Sequence, residues 1–133
     1  MIKCINPTDK DWYPSYHLAP EQGWLSDPNS LIYHNGYYHP YYQHSLHIPL
    51  TGMQMRWGHA ISKNMLDWEH LAVALTPSID NDLKGCFSGS AVNDNGILSL
   101  LYTGNSKDDV QAQCLAISKD GMVCSRRPSH SRP

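Results

Sequence analysis

Trp24-Leu25-Ser26-Asp27-Pro28-Asn29 leads into Leu31-Ile32-Tyr33-His34-Asn35-Gly36-Tyr37-Tyr38-His39, and the reading of this stretch decides the fold. Asn-Gly between two aromatic runs is the strongest short-range hairpin signal, because both central residues of a type I′ turn need positive φ. The pattern predicts a strand over residues 30–34 paired with one over 37–44. Just before the hairpin, a short carboxylate sits between an indole and a proline. Pro28 disfavours helical backbone for Asp27, so the acid is expected on extended backbone. Two readings are open at this point: a rigidly held nucleophile or sugar-binding acid, and an Asp-Pro turn.

Working outward, β signals continue. A loop is expected at residues 47–52, a third strand over 56–62, a turn at Lys63-Asn64-Met65-Leu66-Asp67, and a fourth strand over 68–75. Trp68 reads as core. Four successive antiparallel strands in about 45 residues make one propeller blade or one small meander. The pattern then restarts, with strands over 86–93, 97–103 and 111–118 and a turn at Asn93-Asp94-Asn95-Gly96. Ala60-Ile61-Ser62-Lys63-Asn64 recurs as Ala116-Ile117-Ser118-Lys119-Asp120, 56 residues on, and Asn35-Gly36 recurs as Asn95-Gly96, 60 residues on. A repeat of this length suggests successive blades. The fold class is therefore all-β.

The second unit breaks off. Its fourth strand should cover about 124–131, where the chain instead reads Cys124-Ser125-Arg126-Arg127-Pro128-Ser129-His130-Ser131. Proline and clustered arginine exclude a central strand. Residues 123–133 therefore read as a foreign, disordered tail left by truncation or a shifted reading frame. Residues 1–23, broken by Pro7, Pro14 and Pro20, read as an irregular leading segment, and residues 24–122 as the structured part.

Composition narrows the function classes. The 133 residues suit one domain, and 41% hydrophobic content is enough for a core. A net charge of −2 and a pI near 6.4 carry no electrostatic footprint for nucleic acid or an anionic membrane. Eight Tyr, four Trp and eight His stand against a single Phe. Tyr and Trp suit wet surfaces where polar ligands stack, which favours contact with carbohydrate. The first ten residues lack the roughly 7–15-residue apolar stretch of a signal peptide. No run approaches the roughly 20 apolar residues of a membrane span. Cys4, Cys86, Cys114 and Cys124 form no CxxC pair, so they read as reduced thiols of a cytoplasmic protein.

No metal or other cofactor is expected. His39, His44 and His59 lack metal-ligand spacing and read as satisfied strand histidines. Asp80-Asn81-Asp82-Leu83-Lys84-Gly85 begins like a calcium loop, but Lys84 and Ala91 stand where oxygen ligands are required.

Five stretches then fall into a known order. His17-Leu18-Ala19-Pro20 with Gly23-Trp24-Leu25-Ser26-Asp27-Pro28-Asn29 is the first. Tyr38-His39-Pro40-Tyr41-Tyr42-Gln43-His44 is the second. Trp57-Gly58-His59-Ala60 with Ser62 and Trp68 is the third. Gly85-Cys86-Phe87-Ser88-Gly89-Ser90-Ala91 and Leu100-Leu101-Tyr102-Thr103-Gly104 complete the set. Over about residues 12–122 the chain resembles the N-terminal part of glycoside hydrolase family 32, the β-fructofuranosidases.

The resemblance implies the first two blades of a five-bladed β-propeller, the second incomplete, with the site in the central funnel. It implies hydrolysis of sucrose or a related β-fructofuranoside with retention, by two carboxyl groups about 5–5.5 Å apart. By position Asp27 is then the nucleophile, and Trp24, Ser26, Gln43, Trp57, Phe87 and Ser88 are substrate contacts. Gln43 would donate to and accept from sugar hydroxyls, Trp57 would offer a flat face to the sugar carbons, and Ser88 would meet a further hydroxyl.

The chain also departs from the family. Ser26 stands where the family usually has Asn, and Ser30 where it usually has Gly, which matters if that backbone needs positive φ. The family's later Arg-Asp-Pro and Glu-Cys motifs, carrying the transition-state Asp and the acid/base Glu, have no counterpart here. Glu21 and Glu69 match neither. The 133 residues alone are therefore expected to be inactive and marginally folded, needing a complementing C-terminal fragment. A fructoside-binding module that does not cleave and a decayed gene product are the alternatives.

Overall fold

A computed structural model describes residues 13–46, 54–122 and 124–126. The expected loop at 47–52, most of the leading segment and residues 127–133 lie outside the described residues. Eight strands are seen: β1 (Trp24–His34), β2 (Tyr37–Ser45), β3 (Arg56–Ile61), β4 (Glu69–His70), β5 (Gly85–Asp94), β6 (Ile97–Asn105), β7 (Gln111–Ser118) and β8 (Ser125–Arg126). They form two four-stranded sheets, in the orders β1-β2-β3-β4 and β5-β6-β7-β8. Every paired neighbour is antiparallel.

Local chemistry explains the hairpins. Asn35 and Gly36 have φ of 49° and 86°, and Asn95 and Gly96 have 50° and 89°. Both turns thus take the all-positive geometry that Asn-Gly favours. The repeated pentapeptide is also structural. Ser62 Oγ accepts from Met65 N at 2.8 Å, and Asn64 Oδ1 accepts from Leu66 N at 2.9 Å. Ser118 Oγ accepts from Gly121 N at 3.0 Å, and Asp120 Oδ1 accepts from Met122 N at 2.8 Å. In each sheet, then, a serine and an Asn or Asp two residues later close the same turn after the third strand.

Three boundaries differ from the sequence reading. The strand expected over 30–34 begins at Trp24, so the Asp27 motif lies within β1. The strand expected over 68–75 shrinks to Glu69–His70. Ala72 and Val73 stand exposed beyond it, and the amides of Ala74 and Leu75 share the Trp57 carbonyl at 2.9 and 3.5 Å. Two residues facing one is bulge geometry. Finally, Ser125–Arg126 pairs with β7 through Ala116↔Arg126 and Ile117↔Ser125. The second sheet therefore has a fourth strand of two residues, inside the segment read as a foreign tail. Its clustered charge is tolerated because β8 is an edge strand.

The sheets pack face to face. Tyr41, Trp57 and Leu75 come from the first unit, and Cys86, Leu98, Leu100, Tyr102, Cys114 and Ala116 from the second. Leu98, Leu100 and Tyr102 alternate along β6, as a strand with one buried face requires. Trp57 meets Tyr102 edge to face, with centroids 6.2 Å apart, a favoured aromatic geometry. Gly58 is needed for close approach, since a Cβ there would lie 2.1 Å from the Tyr42 ring.

Strand β1 carries two bulges. Ser26 pairs with Gln43 and Pro28 with Tyr42, leaving Asp27 extra, and the ladder also skips Ser30 and Leu31 between Asn29↔Tyr41 and Ile32↔His39. Opposite the second bulge is Pro40, which has no N–H to donate to the ladder. Ser30 adopts φ of 58° there, so the position where the resemblance expects Gly does need a positive φ. A non-glycine residue in that region costs ~1–2 kcal/mol. Set against the extra chain entropy of glycine, ~0.5–1 kcal/mol, Ser30→Gly is expected to raise the unfolding free energy by about 0.5–1 kcal/mol. A higher urea midpoint at unchanged slope is the readout.

A buried imidazole pair links β2 to β3. His39 Nδ1 lies 3.1 Å from His59 Nε2, and His39 Nε2 lies 3.1 Å from the His34 carbonyl. A carbonyl only accepts, so His39 carries its proton on Nε2 and its Nδ1 accepts from His59 Nε2–H. That leaves His59 Nδ1 buried without a partner, and a second proton on His59 would meet no acceptor. Burial, with His39 as a lesser cause, holds His59 down at about 3. Burial also lowers His39. Depressed folded values mean that the unfolded chain binds more protons below about pH 6.5, its ordinary histidine value. The stability from the neutral pair is therefore whole above that pH and is lost as pH falls toward 3. Urea midpoints are expected to drop steadily between pH 7 and 5, and His59→Gln is expected to flatten that slope.

Candidate active site

The candidate site begins with the first bulge of β1. Asp27 has φ of 42°, so the extended backbone expected for it is not found. Bulges recruit a left-handed residue to absorb the extra position, and Asp tolerates that region better than most residues. This requirement overrides the restriction that Pro28 imposes. The bulge leaves the Asp27 side chain exposed. Asn29 Nδ2 donates to the Asp27 carbonyl at 2.9 Å, and Ser30 Oγ donates to Asn29 Oδ1 at 3.1 Å. The loop of backbone that presents the acid is thus tied down by its own neighbours.

Strand β5 comes alongside β1, and its first residues are bonded to the first sheet at three points. Gln43 Nε2 on β2 donates to the Cys86 carbonyl at 3.2 Å. Trp57 Nε1 on β3 donates to the Phe87 carbonyl at 3.0 Å. Ser88 Oγ lies 3.5 Å from Asp27 Oδ2. Gln43 and Trp57 occupy paired register positions, and Ser26, next to Asp27, pairs with Gln43 on the other side. Five of the sequence-selected residues, Asp27, Gln43, Trp57, Phe87 and Ser88, therefore converge on one seam. Ser26 is half-buried directly beside it, and Trp24 is half-buried at the start of β1, opposite Ser45.

Burial bears on three of the expectations. Trp57 is 0% exposed and belongs to the core. Its faces are covered, so it offers no surface to a sugar; it holds the Phe87 carbonyl from beneath. Gln43 is 2% exposed, and its Oε1 is buried with no partner. One of its two amide N–H groups is engaged by the Cys86 carbonyl, so the side chain is tied to β5 from within the interior. Trp68 is half-buried rather than core, and its indole donates to the Tyr16 carbonyl at 3.2 Å. It lines two clefts, of about 320 and 450 Å³, beside β4. Asp27 lines neither.

Sequence reasoning missed Asp82, which sits in the short 3₁₀ turn Asp80–Asp82 ahead of β5. It is 0% exposed. Its Oδ1 accepts from Ser78 N at 2.7 Å and Ile79 N at 2.9 Å, and its Oδ2 accepts from Tyr102 Oη at 2.7 Å. The Cys86 thiol lies 3.7 Å from Oδ2. Burial pushes that thiol up to about 12, so it stays protonated and can donate. An acidic loop of this composition looks solvated in sequence, and nothing local signals that one carboxylate turns inward.

Residues 17–131 match the glycosyl hydrolases family 32 N-terminal domain. The chain is 51% identical over 121 residues to the raffinose invertase of Escherichia coli, covering 84% of this chain and 25% of that protein. It is 50% identical over 130 residues to a sucrose-6-phosphate hydrolase of Escherichia coli, covering 92% and 27%. Among solved structures, the family 32 β-fructofuranosidase of Bombyx mori is similar with a TM-score of 0.78 and 37% identity, over 96% of this chain and 27% of that one. The chain spans about a quarter of the length of these relatives. Its two sheets are the first two blades of a five-bladed β-propeller, and the chain belongs to glycoside hydrolase family 32, carrying part of its N-terminal domain.

Proposed function

We propose that these residues form the nucleophile half of a retaining β-fructofuranosidase acting on sucrose or a related fructoside. The observation that carries the reading is the exposed Asp27 carboxylate, presented on a left-handed bulge with Ser88 of the neighbouring sheet 3.5 Å away. Asp27 attacks the anomeric carbon and forms a covalent fructosyl intermediate, which water then hydrolyses. Ser88 and Ser26 meet sugar hydroxyls, Phe87 and Trp24 supply apolar contact, and the buried Gln43 acts through the Cys86 carbonyl that it holds. Trp57 serves the site indirectly, as the support of the Phe87 carbonyl.

The reaction also needs a carboxylic acid about 5–5.5 Å from the nucleophile to protonate the leaving oxygen. Glu69 is on β4, three strands from β1, or roughly 14 Å at ~4.8 Å per strand spacing. Glu21 lies in the irregular segment before β1 and is exposed. Neither glutamate therefore serves as that acid, which on this reading belongs to polypeptide continuous with these residues or supplied as a complementing fragment. The 133 residues alone then hold a fructoside without cleaving it. The free thiols of Cys86, Cys114 and Cys124 support a cytoplasmic setting. No helix among the described residues is long and apolar enough to cross a membrane.

The test joins residues 1–126 of this chain to the remaining length of the Escherichia coli sucrose-6-phosphate hydrolase. The chimera is expected to hydrolyse sucrose or its 6-phosphate. Asp27→Asn is expected to lower kcat by at least about 10³-fold while leaving substrate affinity nearly unchanged. The isolated 133-residue chain is expected to show no hydrolysis. Retained turnover in the Asp27→Asn chimera would remove Asp27 from the mechanism.

A further inference from the structure

Arg126 lies in the segment whose composition departs from the rest of the chain, yet its side chain reaches beneath the start of β5. Its Nη1 donates to Asp82 Oδ2 and to Tyr102 Oη. Its Nη2 donates to the Thr76 carbonyl and lies 3.6 Å from Cys86 Sγ. The guanidinium also stands over the Tyr102 ring, 5.2 Å from its centroid. One side chain, mostly buried, thereby connects β8, β6, β5 and the connection before β5.

A buried carboxylate is costly unless it is paired and its lone pairs are filled. Two backbone amides fill Asp82 Oδ1, and Tyr102 and Arg126 fill Oδ2. The planar fork matters, because one ammonium could not serve Tyr102 Oη and the Thr76 carbonyl from two nitrogens at once. The group so clamped adjoins the seam. Cys86 offers its carbonyl to Gln43, Phe87 offers its carbonyl to Trp57, and Ser88 faces Asp27. These are three consecutive residues, so a shift at Cys86 moves all three of these contacts with the first sheet.

We propose that Arg126 is a positioning residue for the sugar site. By clamping Asp82, Tyr102 and Cys86 it sets where the Cys86 and Phe87 carbonyls and the Ser88 hydroxyl stand relative to Asp27. The sugar-site part of this rests on the function proposed above. The displacement of β5 does not.

Two measurements on the 133-residue chain separate these. The first is the indole N–H resonance of Trp57, whose hydrogen bond to Phe87 reports the position of β5; it is assigned by its loss in Trp57→Phe. The second is calorimetric titration with sucrose. Arg126→Ala is expected to shift the Trp57 resonance and weaken sucrose binding by about tenfold. Arg126→Lys keeps the charge without the fork and is expected to shift the same resonance less and recover part of the affinity. If Arg126→Ala does not fold, Arg126→Lys decides alone, since its lost fork must still move the resonance. An unmoved Trp57 resonance in a folded variant, with only the urea midpoint lowered, overturns the proposal and leaves Arg126 a stabilising contact. Absence of sucrose binding in the parent chain counts against the proposed function, while the resonance still decides whether Arg126 positions β5.

Discussion

Everything at the site depends on the seam between β5 and the first sheet. Two carbonyls of consecutive residues, Cys86 and Phe87, accept from Gln43 and Trp57, and the next side chain faces Asp27. Cys86 N also donates to the Met55 carbonyl at 2.9 Å, which adds a backbone tie just ahead of β3. Side chains of one sheet thus satisfy backbone groups of the other. A sheet edge left without such partners would expose or bury unpaired polar groups, at a cost comparable to the bonds themselves. The aromatic core lies directly below, so hydrophobic packing and polar pairing act on the same strand.

Strain is concentrated in the strand that presents the acid. Asp27 and Ser30 both have positive φ within β1, and both occupy bulges. Left-handed backbone at non-glycine residues persists only where the surroundings impose it. Here the surroundings are the register to Gln43 and Tyr42 on one side and Pro40 on the other. The same irregularity that costs stability turns the Asp27 carboxylate outward, next to a half-buried Ser26.

Buried polar groups supply the other constraint. The His39–His59 pair and the Asp82 cluster each place charge-capable side chains in the interior, and they are resolved differently. The imidazoles stay neutral and share one hydrogen bond, leaving a ring nitrogen unpaired. Asp82 is surrounded by donors and neutralised by Arg126. Each solution binds strands together at a place where aliphatic packing alone would leave register loosely specified.

The sequence by itself determined the hairpins, most strands, the internal repeat and the family. Asn35-Gly36 and Asn95-Gly96 demand one turn geometry, and alternating apolar residues such as Leu98, Leu100 and Tyr102 demand one buried face. These are local signals, carried by a few adjacent residues. It also picked out Asp27, Gln43, Phe87 and Ser88, because motif order is written along the chain. Only the tertiary structure decided the Asp27 backbone, the burial of Trp57, the inward turn of Asp82 and the reach of Arg126. Each of those depends on partners far away in sequence: 61 residues for Asp27 and Ser88, 30 for Trp57 and Phe87, and 44 for Arg126 and Asp82. Propensity and periodicity describe a residue's neighbours along the chain. Bulge register, full burial and charge pairing are set by which strand arrives from the other sheet, and that is known only once both sheets have folded against each other.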